Sequence, residues 1–256
     1  MNRGASFRPE IEGLRAVAAL LVMTFHIWLR RVSGGVDVFF VVSGFLITTS
    51  LLNQVDRGGA IRFAAFWAGL VKRLVPLAYF VLCAVILASV LLLPRSRWMD
   101  TIQEVAASAA YVENWTLAFK SIDYLARTGA TSPVQHFWAL STQAQFYLLW
   151  PLVFALALVI ARRRRLDTRR VLGWVFGVLF VTSLLYSVIL TRVDQPFAYF
   201  NSLARVWEFC IGAALALALP HLRLPIDSDG GGVRLPAPRL DAQGTQVRAA
   251  GWLPRG

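Results

Sequence analysis

The chain has 256 residues, 57% of them hydrophobic and only 16% charged, with a formal net charge of +12. Long uncharged runs within such a composition exclude an ordinary soluble domain, a disordered scaffold and a disulfide-stapled secreted module. The basic excess does not indicate nucleic acid, because the arginines sit mainly between the apolar runs, where membrane proteins keep them.

Five apolar stretches stand out: 14–29, 36–55, 74–94, 137–161 and 171–191. A helix needs about 20 residues to cross the hydrocarbon, so each is a candidate span. The segment 201–220 is a weaker sixth candidate, interrupted by Arg205 and Glu208. Residues 101–119 are too polar for a span and read as an interfacial or re-entrant helix. The expected fold class is all-α, a multi-pass transmembrane helix bundle of about six spans. Cys83 and Cys210 both lie in apolar runs and are expected to be buried.

Loop charges orient the spans. Arg3, Arg8 and Arg15, then Arg57, Arg62, Lys72 and Arg73, then Arg162–Arg165, Arg169 and Arg170 share one side of a six-span arrangement. The opposite loops hold Arg30, Arg31, Arg95, Arg97, Lys120, Arg127 and Arg192. Thirteen basic residues against seven place the N-terminus in the cytoplasm. The membrane-embedded domain is expected over 1–222. Residues 223–256 are rich in Gly, Pro, Arg and Ala, show no helical or strand period, and are expected to be a disordered tail.

Ionisable and polar groups inside the apolar runs need a reason to be there. In the first run His26 follows Arg15 by eleven residues. At about 100° per residue this returns to within about 20° of the same helical face, roughly 16 Å along the axis. A histidine near neutral pKa can take a proton from a hydroxyl, or can simply bond a neighbouring helix. Asp37 follows Gly34-Gly35 at the entrance of the second run, where it either orients His26, binds a substrate hydroxyl, or complements a helix N-terminus. Gly44 is expected to allow close helix packing.

Lys72-Arg73 precedes Pro76 at the expected start of the third span and can bind phosphate or serve as a positive flank. His136, Trp138, Gln143, Gln145 and Tyr147 gather at the outer edge of the fourth. Aromatic belts account for Trp138 and Tyr147 but not for the amides, which need partners inside a bundle. Arg205 and Glu208, three apart, can pair on one helix face. No zinc-ligand spacing, phosphate-binding loop or nucleophile elbow is present, so no metal site is expected.

Together these segments resemble the acyltransferase 3 family of multi-pass membrane O-acyltransferases. The resemblance rests on four ordered motifs. They are Phe7–Ala18 with the Arg15, ten residues, His26 spacing; Gly35–Ile47; His136–Ser141 with Gln145-Phe146-Tyr147; and Arg205, Trp207, Glu208 and Gly212. It implies transfer of an acyl group, often acetyl, from cytoplasmic acyl-CoA to a hydroxyl of a surface glycan, a lipid or a small molecule. Acyl-CoA is then a co-substrate, with no further cofactor, and the location is the bacterial cytoplasmic membrane. His26 becomes the leading catalytic residue with Asp37 beside it. Arg15, Lys72 and Arg73 become donor-binding or entry residues, and the groups from His136 to Tyr147, with Arg205 and Glu208, acceptor-side or structural.

This sequence departs from the family at Gln143 and Ala144, where two acidic residues are usual, and at Leu70, where an Arg is frequent. The family's membrane domain commonly has about ten spans, against about six here. The alternative reading is accordingly a truncated, inactive member or a non-catalytic membrane protein.

Overall fold

The structure is a computed structural model that describes residues 9–24, 34–58, 60–120 and 132–219. The expected tail at 223–256, and His26, lie outside the described residues. Every regular element among those residues is helical. The described residues form nine α-helices: α1 (Pro9–Thr24), α2 (Gly35–Gly58), α3 (Phe63–Leu92), α4 (Trp98–Ala109), α5 (Glu113–Phe119), α6 (Phe137–Arg164), α7 (Thr168–Val193), α8 (Gln195–Phe200) and α9 (Val206–Ala218). Helices α2, α3, α6 and α7 are long and apolar enough to cross a membrane. The all-α, multi-pass class is what the apolar runs predicted. The first and sixth candidate spans correspond to the shorter α1 and α9, of 16 and 13 residues.

One boundary and one burial differ from the sequence expectation. Helix α3 starts eleven residues before Leu74, so Lys72, Arg73 and Pro76 lie inside it rather than at its start. Apolar residues at Phe63, Phe66 and Trp67 extend the helix below the expected span, and a single proline removes only one ladder hydrogen bond from a 30-residue element. Cys83 is exposed, a correction to its expected burial, because it lies on the outward face of α3; Cys210 is buried as expected. The 101–119 segment forms α4 and α5, two short helices hinged at Tyr111, whose φ of 56° reverses the chain. It does not span.

Local chemistry ends these helices where they end. Helix α6 carries Arg162, Arg163 and Arg164 in its last turn, where cations complement the helix dipole, and closes at Arg165 with a left-handed φ of 53°. Asp167 then caps α7, accepting from the Arg170 amide at 2.9 Å. Asp194 caps α8 in the same way through the Phe197 amide at 3.0 Å. Asn201 accepts from the Leu203 and Ala204 amides to start the 3-10 turn Ser202–Arg205, which leads into α9.

The core lies where α2, α6, α7 and α9 meet. Phe40 stacks on Phe209 at 4.8 Å, Phe209 on Phe146 at 3.7 Å, Phe146 packs on Trp150 at 4.3 Å, and Trp150 stacks on Phe176 at 4.6 Å. Such ring pairs contribute about 0.5–1.5 kcal/mol each beyond buried area. The Trp150 indole N–H donates to Thr48 Oγ1 at 2.9 Å, so the one polar atom of that column is satisfied. Gly44 and Gly212 bring α2 and α9 into backbone contact. A β-carbon on Gly44 would fall on the Phe209 carbonyl, and one on Gly212 on the Val41 carbonyl. Gly44 thus serves the close packing read from the sequence.

Candidate functional site

A cavity of about 400 Å³ opens between α1, α2 and α6. Ala19 and Val22 of α1, Val36, Phe39 and Phe40 of α2, and Ala139 and Leu140 of α6 form apolar walls. His136, Trp138 and Gln143 supply its polar and amphipathic lining. The cavity is assembled by two of the sequence motifs, Gly35–Ile47 and His136–Tyr147, because each projects one helical face toward the other.

Gln143 is held from behind. Its amide nitrogen donates to Ser43 Oγ at 2.6 Å and to Tyr147 Oη at 2.7 Å. A carboxamide has two N–H groups, and both are committed, which leaves the carbonyl oxygen as the group with capacity for a further partner. That oxygen can accept a hydrogen bond from a hydroxyl but cannot take a proton at neutral pH. Ser43 was visible in the second-run motif but carried no assigned role; only its contact with Gln143 gives it one.

Asp37 sits one residue beyond the cavity wall at Val36, in the first turn of α2. Its Oδ1 accepts from Arg205 Nη1 at 3.0 Å, and the same nitrogen donates to Glu208 Oε1 at 2.8 Å. The Arg205–Glu208 pairing read from their spacing is present, and Asp37 joins it from 168 residues away. Arg205 also donates through Nε to the Tyr199 carbonyl at 3.2 Å. Its guanidinium lies 4.8 Å from the Tyr199 ring centroid and 5.8 Å from that of Trp138, a lining residue of the cavity. Tyr199 carried no signal in the sequence: nothing distinguishes it from any other aromatic until Arg205 stacks on it.

The remaining candidates fall elsewhere. Lys72 and Arg73 are exposed on α3, outside the cavity lining, so the cavity is not ringed by all the basic candidates. Arg15 lies on α1, and its side chain, like His26, is outside the description. Gln145 has both ends of its amide engaged in hydrogen bonds. Its Nε2 donates to the Tyr111 carbonyl at 2.9 Å and Asn114 Oδ1 at 2.8 Å. Its Oε1 accepts from Trp115 Nε1 at 3.1 Å and Ser202 Oγ at 2.7 Å. This one amide ties α5, α6 and the 3-10 turn before α9 together.

A second buried polar group went unnoticed in the sequence. Glu113, at the start of α5, is 0% exposed, and neither carboxylate oxygen has a hydrogen-bond partner. Burial, reinforced by the nearby Glu104 and opposed by Lys120, pushes its carboxyl up to about 8. Glu104 itself pairs with Lys120 at 3.1 Å.

The acyltransferase-domain family profile matches residues 8–229. The chain belongs to this acyltransferase family. It is 33% identical over 221 residues to a peptidoglycan O-acetyltransferase of Listeria monocytogenes, covering 84% of this chain and 35% of the relative. A Bacillus subtilis protein, provisionally named a peptidoglycan O-acetyltransferase, is 31% identical over 220 residues, with 84% and 34% covered. A Staphylococcus aureus protein, provisionally named an O-acetyltransferase, is 31% identical over 229 residues, with 86% and 36% covered. The chain spans about a third of the length of the curated relatives it matches. No solved structure matches it.

Proposed function

We propose that this chain is the membrane-embedded part of an O-acyltransferase that moves an acyl group, acetyl in the first instance, onto a hydroxyl. The observation that carries this reading is the meeting of family motifs in space: the second-run motif and the His136–Tyr147 motif wall one cavity, and the Arg205–Glu208 motif is salt-bridged to its rim. The donor is a cytoplasmic acyl-CoA. The acceptor is a hydroxyl of a surface glycan, in keeping with relatives named for peptidoglycan. The N-terminus is cytoplasmic, in the bacterial inner membrane.

The chemistry assigns a role to each group. An alcohol is a poor nucleophile until a base takes its proton, and His26 is assigned as that base, with Asp37 as its catalytic partner. Gln143 accepts a hydrogen bond from the incoming hydroxyl, and His136 and Trp138 line its approach. Arg15, Lys72 and Arg73 meet the donor's phosphates as point charges and forks, and the exposure of Lys72 and Arg73 leaves them open to a soluble co-substrate.

The test is O-acetylation of surface glycan in a host lacking its own transferase. His26→Ala should lower transfer by about 10²–10⁴-fold with membrane insertion intact. Arg73→Ala should weaken use of the donor. Equal acetylation with and without His26 rejects the mechanism. An inactive parent chain favours the non-catalytic reading.

A further inference from the structure

The Arg205–Glu208 pair already neutralises itself, yet Asp37 is drawn onto the same guanidinium nitrogen. A second carboxylate beside a buried pair leaves excess negative charge, which stability alone does not call for. Exposure grades across the trio: the Glu208 side chain is 0% exposed, Arg205 13% and Asp37 45%. The anchored end is Glu208, and the end presented outward is Asp37.

Arg205 itself has little freedom. Glu208, the Tyr199 carbonyl and two aromatic rings fix its position independently of Asp37. A lysine could not reproduce this, because an ammonium lacks the flat fork that bonds two carboxylates and a carbonyl while stacking on rings. Asp37 meets the fork through Oδ1. Its Oδ2 lies toward Gly34, where a β-carbon would approach it to 3.7 Å. The second oxygen therefore faces the N-terminal end of α2.

We propose that Arg205 is a positioning residue for Asp37, with Glu208 as its buried anchor: the guanidinium holds one carboxylate oxygen and leaves the other turned toward Gly34, at the N-terminal end of α2. This rests on the acyltransferase reading, in which Asp37 serves the reacting hydroxyl and its base. The Arg205–Glu208 motif then acts on the reaction through Asp37, without touching substrate.

The experiment compares Asp37→Asn, the pair Arg205→Met with Glu208→Gln, and all three changes together. Replacing Arg205 and Glu208 jointly leaves no buried charge alone. Acetyl transfer from acetyl-CoA to chitotetraose is measured in membrane vesicles. The Arg205/Glu208 variant should lose at least about tenfold in kcat with KM within about twofold, the pattern of a displaced reacting group. The triple variant should be no slower than Asp37→Asn, because residues acting as one unit are not additive. Losses that multiply would overturn the proposal and make Arg205 merely structural.

A second arm needs no activity. Asp37→Cys is made in a Cys83→Ser background, which removes the exposed native thiol and leaves Cys210 buried. Labelling rates are compared for sulfonatoethyl and trimethylammonioethyl methanethiosulfonate. Removing Arg205 and Glu208 should cut the anion-to-cation rate ratio at least about threefold, since the closer charge on position 37 is the guanidinium. An unchanged ratio overturns the proposal even where transfer is seen. A changed ratio in a chain that transfers nothing supports the placement and counts against the functional reading alone.

Discussion

Gly44 of α2 and Gly212 of α9 each face the other helix's backbone, with no room for even a methyl group, whereas Gly69 of α3 and Gly173 and Gly177 of α7 have nothing within 4 Å of an added β-carbon. The side chains follow the same division. Around α2 and α9, Phe40, Phe209 and Ala213 are at most 1% exposed. On the outer face of α3, Phe80 is 72% exposed and Leu92 80%. Both regions are apolar, but one is packed against protein and the other lies on the outside of the described helices. Lipid solvates an apolar side chain as well as a neighbouring helix does, so tight fit rather than hydrophobicity distinguishes them.

The largest way to break this contrast is Gly212→Val or Gly44→Val. The atoms met are backbone, which cannot swing aside, so either change should cost more than about 4 kcal/mol, at the exceptional end for single substitutions. Unfolding in detergent micelles, followed by helical circular dichroism, should show little folded protein. Retention of the parent stability would mean α2 and α9 are not this close.

Next in size is the pH response of the α4–α5 hairpin. Glu113 keeps its proton up to about 8 when folded, against an ordinary value of 4.5. Between those values the folded chain binds more protons than the unfolded one. Through this group, the contribution to stability should be fullest below about pH 4.5 and be lost as pH rises toward about 8, on the order of a few kcal/mol. Glu113→Gln should flatten that slope. An equal slope in both proteins would assign it to another group.

The Gln145 hub tests the inner side of the comparison through polarity. Gln145→Leu strips partners from Trp115, Ser202 and Asn114 at once. Unmet buried groups cost about 1–3 kcal/mol each, tempered for Ser202 by the bond its hydroxyl still accepts from Asn114 Nδ2, so a loss of about 2–4 kcal/mol is expected. Loss of protection in α5 by hydrogen exchange would locate it. The smallest effect belongs to the outward glycines. Gly173→Ala or Gly69→Ala should be neutral or stabilise by up to about 1 kcal/mol, the helix-propensity difference. Measurable destabilisation would mean these faces are packed against something.

The positions of α2, α6 and α7 could be read almost directly from the chain, because a bilayer imposes one length and one polarity on whatever crosses it. The start of α3 could not, since beyond the hydrocarbon a helix is limited only by capping and packing. Lys72 and Arg73 illustrate the limit: their motif was legible, but not that they lie outside the lining of the α1–α2–α6 cavity.

The site shows the same boundary between chain and fold. Sequence by itself determined the i,i+3 pairing of Arg205 with Glu208, because one helical turn brings them together whatever surrounds it. It determined too that the amides of Gln143 and Gln145 need partners inside a bundle. Only the tertiary structure decided that Asp37 takes Arg205, that Gln143 takes Ser43 and Tyr147, and that Tyr199 completes the clamp. A buried polar group must be paired, but hydrogen bonds are short and directional. Which partner it finds depends on the approach of helices remote in sequence, and here the glycines that let α2 meet α9 set that approach.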